Sequence, residues 1–514
     1  MNDWTIPQPR SANTKGCAYW PDSCFLELND IPELDALLQS EPDRPQLDLS
    51  SADADVIGLI GHENTHWIQA VCFGYGLYQA QIDQVRTEIA EAFFDLNGTE
   101  LSEYLLRERS RGKRILSYEP SGDLIPSQGV GPMAARLQRH WLGLGLLRYS
   151  LDSGKRIWTE EASLRFFLGL ARLYAAAGPN VSEVALLPDT ELFAAACDAA
   201  PAGDLELREF DDSKLSSSAL AECGAVLDEH WFYAYQSEWC RQRGRSPEAE
   251  RWWAILDKSW KRRESTFYGD AFRVFAEINP SLDLNQSTPL ATLGVITSLA
   301  LDGTWSGGAR RPRWRDVYPP IRFRAFSQAV QRVGMLPAYS VYKLTPAAYE
   351  EYIRTLCAEA DVAPPQLSLS TLCSDAHWEP SPNNDLRRLF SLCASAGKDL
   401  YRRYPASIVA PSEANVYLEE ILKDESFDHL RPAREAPLLV LNGQMSSLHF
   451  DDRENRRFAV AGIYQRLLME LMRSTGKLSQ AGRPGHTLGE QLAREAVGLA
   501  ERRLRISLND FAVC

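Results

Sequence analysis

Long apolar runs are missing from this chain of 514 residues. The longest, around Ala291 to Leu301, falls well short of the ~18 residues that a membrane span requires, so the sequence predicts no membrane segment. The opening residues, Met1 to Pro7, contain no basic stretch leading into an apolar one, and no secretory leader is expected. Cysteine supplies no framework. The ten cysteines include no CxxC pair, and the closest two, Cys17 and Cys24, have six residues between them. That pattern fits reduced thiols in a cytoplasm rather than a disulfide scaffold. Lysine is scarce, with ten against 45 arginines, a bias that reads as genome composition. No Walker A pattern, no G-x-G-x-x-G after a strand and no G-x-S-x-G elbow occurs, and no repeat of fixed period is present.

Hydrophobic residues make up 45% and aromatics 10% of the chain, which excludes disorder as a description of the whole and allows a large core. The net charge of −14 and a pI near 5.2 oppose general binding of nucleic acid, which would need a local basic patch. At ~150 residues per domain the length suits two to four domains, or one large helical body with insertions. Helical periodicity runs through residues 52–72, 76–96, 130–150, 157–177, 214–242, 247–276, 288–301, 321–335, 346–360, 384–403, 412–423, 457–474 and 487–505. Strand candidates are few: Cys24 to Leu28, Gln46 to Leu49 and Leu438 to Leu441. The expected fold is therefore mainly α, with a small β-sheet and many helices. A plausible linker at 334–340 divides a domain at 1–340 from a helical region at 341–514.

One stretch stands out: Val56-Ile57-Gly58-Leu59-Ile60-Gly61-His62-Glu63-Asn64-Thr65-His66-Trp67-Ile68-Gln69, which contains H-E-x-x-H. On a helix, residues i and i+4 project from one face, so His62 and His66 can converge on a single ion. Two imidazoles suit Zn²⁺ and leave room for a third ligand and a water. Glu63 lies about 100° around the helix, where its carboxylate can take a proton from a water attacking a carbonyl. With eight histidines, chance alone gives the pattern in roughly one such chain per hundred. Its context favours chemistry. Ser50 or Ser51 is a good N-cap, and Ile60, Asn64, Thr65, Trp67 and Ile68 are uncharged, as a buried metal helix requires. The plainer alternative is a helix whose histidines only hydrogen-bond within the core.

The segment resembles the zincin superfamily of zinc metallopeptidases. Residues His62 to Gln69, with Phe73-Gly74-Tyr75-Gly76-Leu77 after them, are similar to bacterial zincin-like proteins over about twenty residues. The resemblance implies His62 and His66 as ligands and Glu63 as general base. The metzincin extension, a glycine and a third histidine, is absent, so the implied third ligand is a carboxylate, as in gluzincins. Glu222, in Ser218-Ala219-Leu220-Ala221-Glu222-Cys223-Gly224-Ala225, resembles the E-G-x-A signature that supplies it. Cys223-Gly224 departs from the usual Gly-x, and the separation from His66 is long. Glu88 or Glu91 is the alternative, at a more usual spacing, on a helix (81–95) whose charges read as a solvated face.

A peptidase also needs a donor for the developing oxyanion. His230, Tyr233 and Tyr235 follow Glu222 on the same predicted helix and could supply it, or could simply pack the core. Asp228 or Glu229 could orient a ligand histidine. The function expected is zinc-dependent hydrolysis of a peptide or protein substrate in the cytoplasm. The rival is a catalytically silent zincin-like scaffold within a bacterial system. The motif also admits a zinc hydrolase acting on something other than a peptide.

Elsewhere, Arg310, Arg311, Arg313, Arg315, Arg322 and Arg324 interleave with Trp314, Tyr318, Phe323 and Phe326. Intramolecular pairing is the plain reading of this patch. An acidic peptide or substrate carboxylate comes next, since arginine forks suit carboxylates, and nucleic acid is disfavoured. His377, His429 and His449 lack ligand spacing, and Cys357, Cys373 and Cys393 lack the pairing of a structural zinc site.

Overall fold

A computed structural model describes residues 51–76, 79–80, 82–94, 215–261, 268–303, 318–362, 382–403, 452–473 and 490–504, with short strands and isolated helical positions elsewhere. Helices dominate these residues, and the described part of the chain is mainly α. They are α1 (Ser51–Cys72), α2 (82–94), α3 (Ser217–Gln242), α4 (Ser246–Lys261), α5 (Asp270–Ile278), α6 (Ser287–Leu301), α7 (Pro319–Val333), α8 (Pro346–Glu359), α9 (Pro382–Arg403), α10 (Asp452–Arg473) and α11 (Glu490–Leu504). The predicted helices at 157–177 and 412–423 and the strand at 46–49 lie outside the described residues, as do His377, His429, His449 and Cys373. Backbone pairing joins four short strands in the order β1 (Gly16–Trp20), β2 (Phe25–Asn29), β3 (Leu438–Leu441) and β4 (Gln444–Ser447). The central pair, β2 with β3, is parallel and puts Phe25 opposite Leu438; the outer pairs are antiparallel. No helix among the described residues is long and apolar enough to cross a membrane.

Two expectations need correction. The single helix expected over 247–276 is two, α4 and α5, and Gly269 occupies the N-cap of the second. Tyr268 and Gly269 form a turn ahead of α5, a stop that the apolar periodicity on either side conceals. The helix at 82–94 is also not a solvated face. Asp83, Gln84, Arg86, Thr87 and Glu88 are all buried. Their charges are matched by groups from distant segments: Arg148 on Asp83, Arg387 on Glu88, and Trp141 beneath the Arg86 guanidinium at 4.1 Å. Glu91 accepts from the Tyr464 hydroxyl at 2.6 Å and lies 3.2 Å from Arg503 Nε. A buried charge is tolerated only when paired, and here α9, α10 and α11 supply most of the pairing.

Helix α6 is apolar all round, the mark of a core helix, and twelve of its fifteen residues are buried. Its last carbonyls need partners. Arg322 of α7, fully buried, donates from Nε at 3.3 Å and Nη2 at 2.9 Å to the Leu299 carbonyl. This arginine of the basic patch is therefore used internally; residues 304–317 lie outside the described ones. Asp302 caps the end of α6 and accepts from the Gly74 backbone N–H at 3.2 Å. Burial pushes its pKa from 3.8 to about 7, against the opposing pull of the Gly74 N–H and Arg322. A carboxylic acid whose folded pKa is raised contributes stability that is complete below the unfolded value and is lost as pH rises through about 7. Asp302→Asn keeps the acceptor for Gly74 without the ionisation. The variant should exceed the wild type in stability by about 2–4 kcal/mol at pH 8, with a smaller gap at pH 5. Urea midpoints at the two pH values measure this, and identical pH dependence in both proteins would refute it.

Candidate metal centre

The site lies where α1 and α3 pack antiparallel. Gln69 meets Ala221, Thr65 meets Asp228, and Gly58 meets Tyr233. Close approach follows from small residues on both sides. Ala219, Cys223 and Ala225 of α3 are buried, and a Cβ at Gly58 would lie 1.7 Å from the Tyr233 hydroxyl oxygen. Helix α3 starts cleanly because the Ser216 side chain accepts from the Ala219 N–H at 3.0 Å, an N-cap that satisfies one of its orphan donors.

Residues 58, 62, 65, 66 and 69 form one stripe of α1, as helical spacing dictates. From it, His62 Nε2 reaches to 3.1 Å from Glu222 Oε2, and His66 Nε2 lies 3.6 Å from the same oxygen. The two rings meet edge to face with centroids 5.0 Å apart. One ligand atom from each of the three residues lies within 4.8 Å of the others. His62 is buried, whereas the His66 and Glu222 side chains keep 16% and 22% of their surface, so the cluster opens on the Glu222 side. Glu63 and Asn64 are half-buried beside it, and Gly61 is exposed, with nothing within 4 Å of where a Cβ would stand.

The outer nitrogens of the rings also have partners. His62 Nδ1 lies 2.8 Å from Glu229 Oε1, a close charge contact rather than an aligned hydrogen bond. The other oxygen of Glu229 accepts from the Ser259 hydroxyl of α4 at 2.6 Å. His66 Nδ1 lies 2.9 Å from Gln69 Oε1. Thr65 Oγ1 sits 2.8 Å from Asp228 Oδ2 and 2.9 Å from the Gly61 carbonyl. Burial pulls the pKa of His62 down, but the Glu222 and Glu229 carboxylates outweigh it and hold it well above the ordinary value. His66 is raised by Glu222 against the same desolvation. Burial of Glu222 works to raise its pKa, and the two imidazoles overcome that and hold it well below the usual carboxylate range.

Of the residues singled out in the sequence, His62, His66 and Glu222 come together, with Glu63 alongside. Glu88 and Glu91 do not join them; they face Arg387 and Tyr464 respectively. His230 stacks on Trp260 with centroids 4.3 Å apart. Tyr233 is buried, its ring beside Trp252 and Phe232 and its hydroxyl against Gly58, one turn before His62. The sequence reading left out Gln69, Ser259 and Tyr268, whose ring lies edge-on to His62 at 6.5 Å. Only Gln69 carried a visible signal, three residues after His66 on the same helix face. No family model, curated protein or solved structure matches the chain.

Proposed function

We propose that this chain is a zinc-dependent metallopeptidase of the gluzincin type, cleaving a peptide or protein substrate. The observation that carries the reading is the convergence of three acceptor atoms, two imidazole Nε2 and one carboxylate oxygen, within 4.8 Å of one another. Each imidazole has its Nδ1 beside an oxygen acceptor, Glu229 or Gln69, so that in the neutral ring the proton is favoured there and the lone pair on Nε2. Protons shared with Glu222 hold the cluster together without metal, and a cation that displaces them would take the same three atoms as ligands. Two nitrogens and one oxygen with an open side are a donor set that fits Zn²⁺ with a position left for water.

Bound zinc would supply Lewis-acid activation of water and of the scissile carbonyl. The remaining work falls to the chain. Glu63, adjacent in sequence to His62 and half-buried, takes the proton of the attacking water and passes it to the leaving nitrogen. Glu229, itself held by Ser259, fixes the His62 ring. His230, Tyr233 and Tyr268 are the candidate donors to the developing oxyanion. The strands at 16–20, 25–29, 438–441 and 444–447 are read as the small sheet of a zincin-like unit, a reading supported by the approach of β1 to α1. Metal analysis tests the proposal: the purified protein should hold about one zinc per chain, and His62→Ala should lose it. A wild-type protein that stays empty at saturating zinc would end this reading.

A further inference from the structure

A carbonyl oxygen has no proton to give. The Ala221 carbonyl, one residue before Glu222, lies 2.9 Å from the side-chain amide nitrogen of Gln69. The reverse orientation of that amide would set two acceptors against each other, so the nitrogen must face Ala221. The amide oxygen then faces His66 Nδ1 at 2.9 Å and requires the proton of the ring on Nδ1. The lone pair is left on Nε2, the atom 3.6 Å from Glu222 Oε2. One main-chain oxygen thus determines the tautomer of His66.

The first of these hydrogen bonds ties α1 to the turn of α3 that carries Glu222, and the second, within α1, passes that placement on to the His66 ring. Gln69 is 6% exposed, so water is a poor substitute for either bond. The geometry also accounts for Gly224, which stands where the gluzincin pattern has another residue. A Cβ there would lie 2.8 Å from Gln69 Nε2.

We propose that Gln69 is a positioning residue. It holds His66 in the tautomer that presents Nε2 to the metal and sets the register of Glu222 against it, with Gly224 as its clearance. The inference rests on the metal reading above, and its test separates the two. The full-length protein is stripped of metal and titrated with Zn²⁺ against a chromophoric chelator. Gln69→Met keeps the side-chain length and removes both hydrogen bonds, and should weaken zinc binding about 10–100-fold. Gly224→Ala leaves Gln69 chemically intact but displaces its amide. Affinity should again fall, while the thermal midpoint holds or rises because alanine favours helix over glycine.

A second readout needs no metal. In histidine-selectively ¹⁵N-labelled protein, at a pH where the imidazoles are neutral, His66 of the wild type should show the Nδ1–H tautomer. Gln69→Met should lose that preference. Equal zinc affinity in the wild type and both variants would overturn the proposal. Should the wild type bind no zinc, the metal reading fails and the tautomer decides for Gln69 alone: a preference lost in Gln69→Met sustains its orienting role, and an unchanged one removes it.

Discussion

Glu63→Gln is expected to keep its zinc and lose its turnover. Glutamine preserves the volume of the side chain, and on the proposed reading position 63 is not a ligand, so metal content should match the wild type. What disappears is a basic oxygen for the water's proton, which removes general-base catalysis worth about 10²–10⁴-fold. The half-buried place of Glu63, one residue from His62, suits that role. The measurement with most power is a comparison of newly formed protein termini in cells producing wild type or Glu63→Gln, run beside zinc analysis of both proteins. Identical sets of termini would transfer the weight to a catalytically silent scaffold.

The second large effect separates two carboxylates by what each loses. Glu222→Ala leaves two imidazoles for an ion that takes at least three protein ligands, so zinc should be lost while the helices stay packed. Glu88→Ala should do the reverse. It strips the partner from Arg387, a buried guanidinium whose pKa burial has already pulled down to about 10. Breaking a buried ion pair from one side costs about 3–5 kcal/mol. The Glu88 variant should therefore unfold at markedly lower urea yet bind zinc as the wild type does. Zinc loss in Glu88→Ala with full occupancy in Glu222→Ala would place the third ligand at the shorter spacing instead.

What the sequence made legible was governed by spacing along one helix. His62, Glu63 and His66 could be placed relative to one another because a helix turns about 100° per residue, and the uncharged positions around them announced burial. Glu222 was legible as a residue type amid small neighbours, since close helix packing has a compositional mark. Pairings across the chain left no such mark. Glu88 and Arg387 are 299 positions apart, so α2 looked solvated when its charges were in fact neutralised from elsewhere. Glu229 and Asp228 could not be told apart, because one residue of helix is a 100° rotation and only the placement of α1 and α4 decides which faces His62. The break between α4 and α5 was hidden by apolar periodicity continuing on both sides of Gly269.

The packing of α1 against α9 has a consequence for synthesis. Trp67, on α1, is fully buried and its ring lies 6.4 Å from that of Phe390. A ribosome adding about 5–20 residues per second needs roughly 15–65 s to pass from the histidines to that phenylalanine. Throughout this interval the nascent chain carries Trp67 without the Phe390 ring that packs beside it. Chains that stop short of α9 would therefore leave part of the Trp67 surface open to water, an apolar face that invites aggregation.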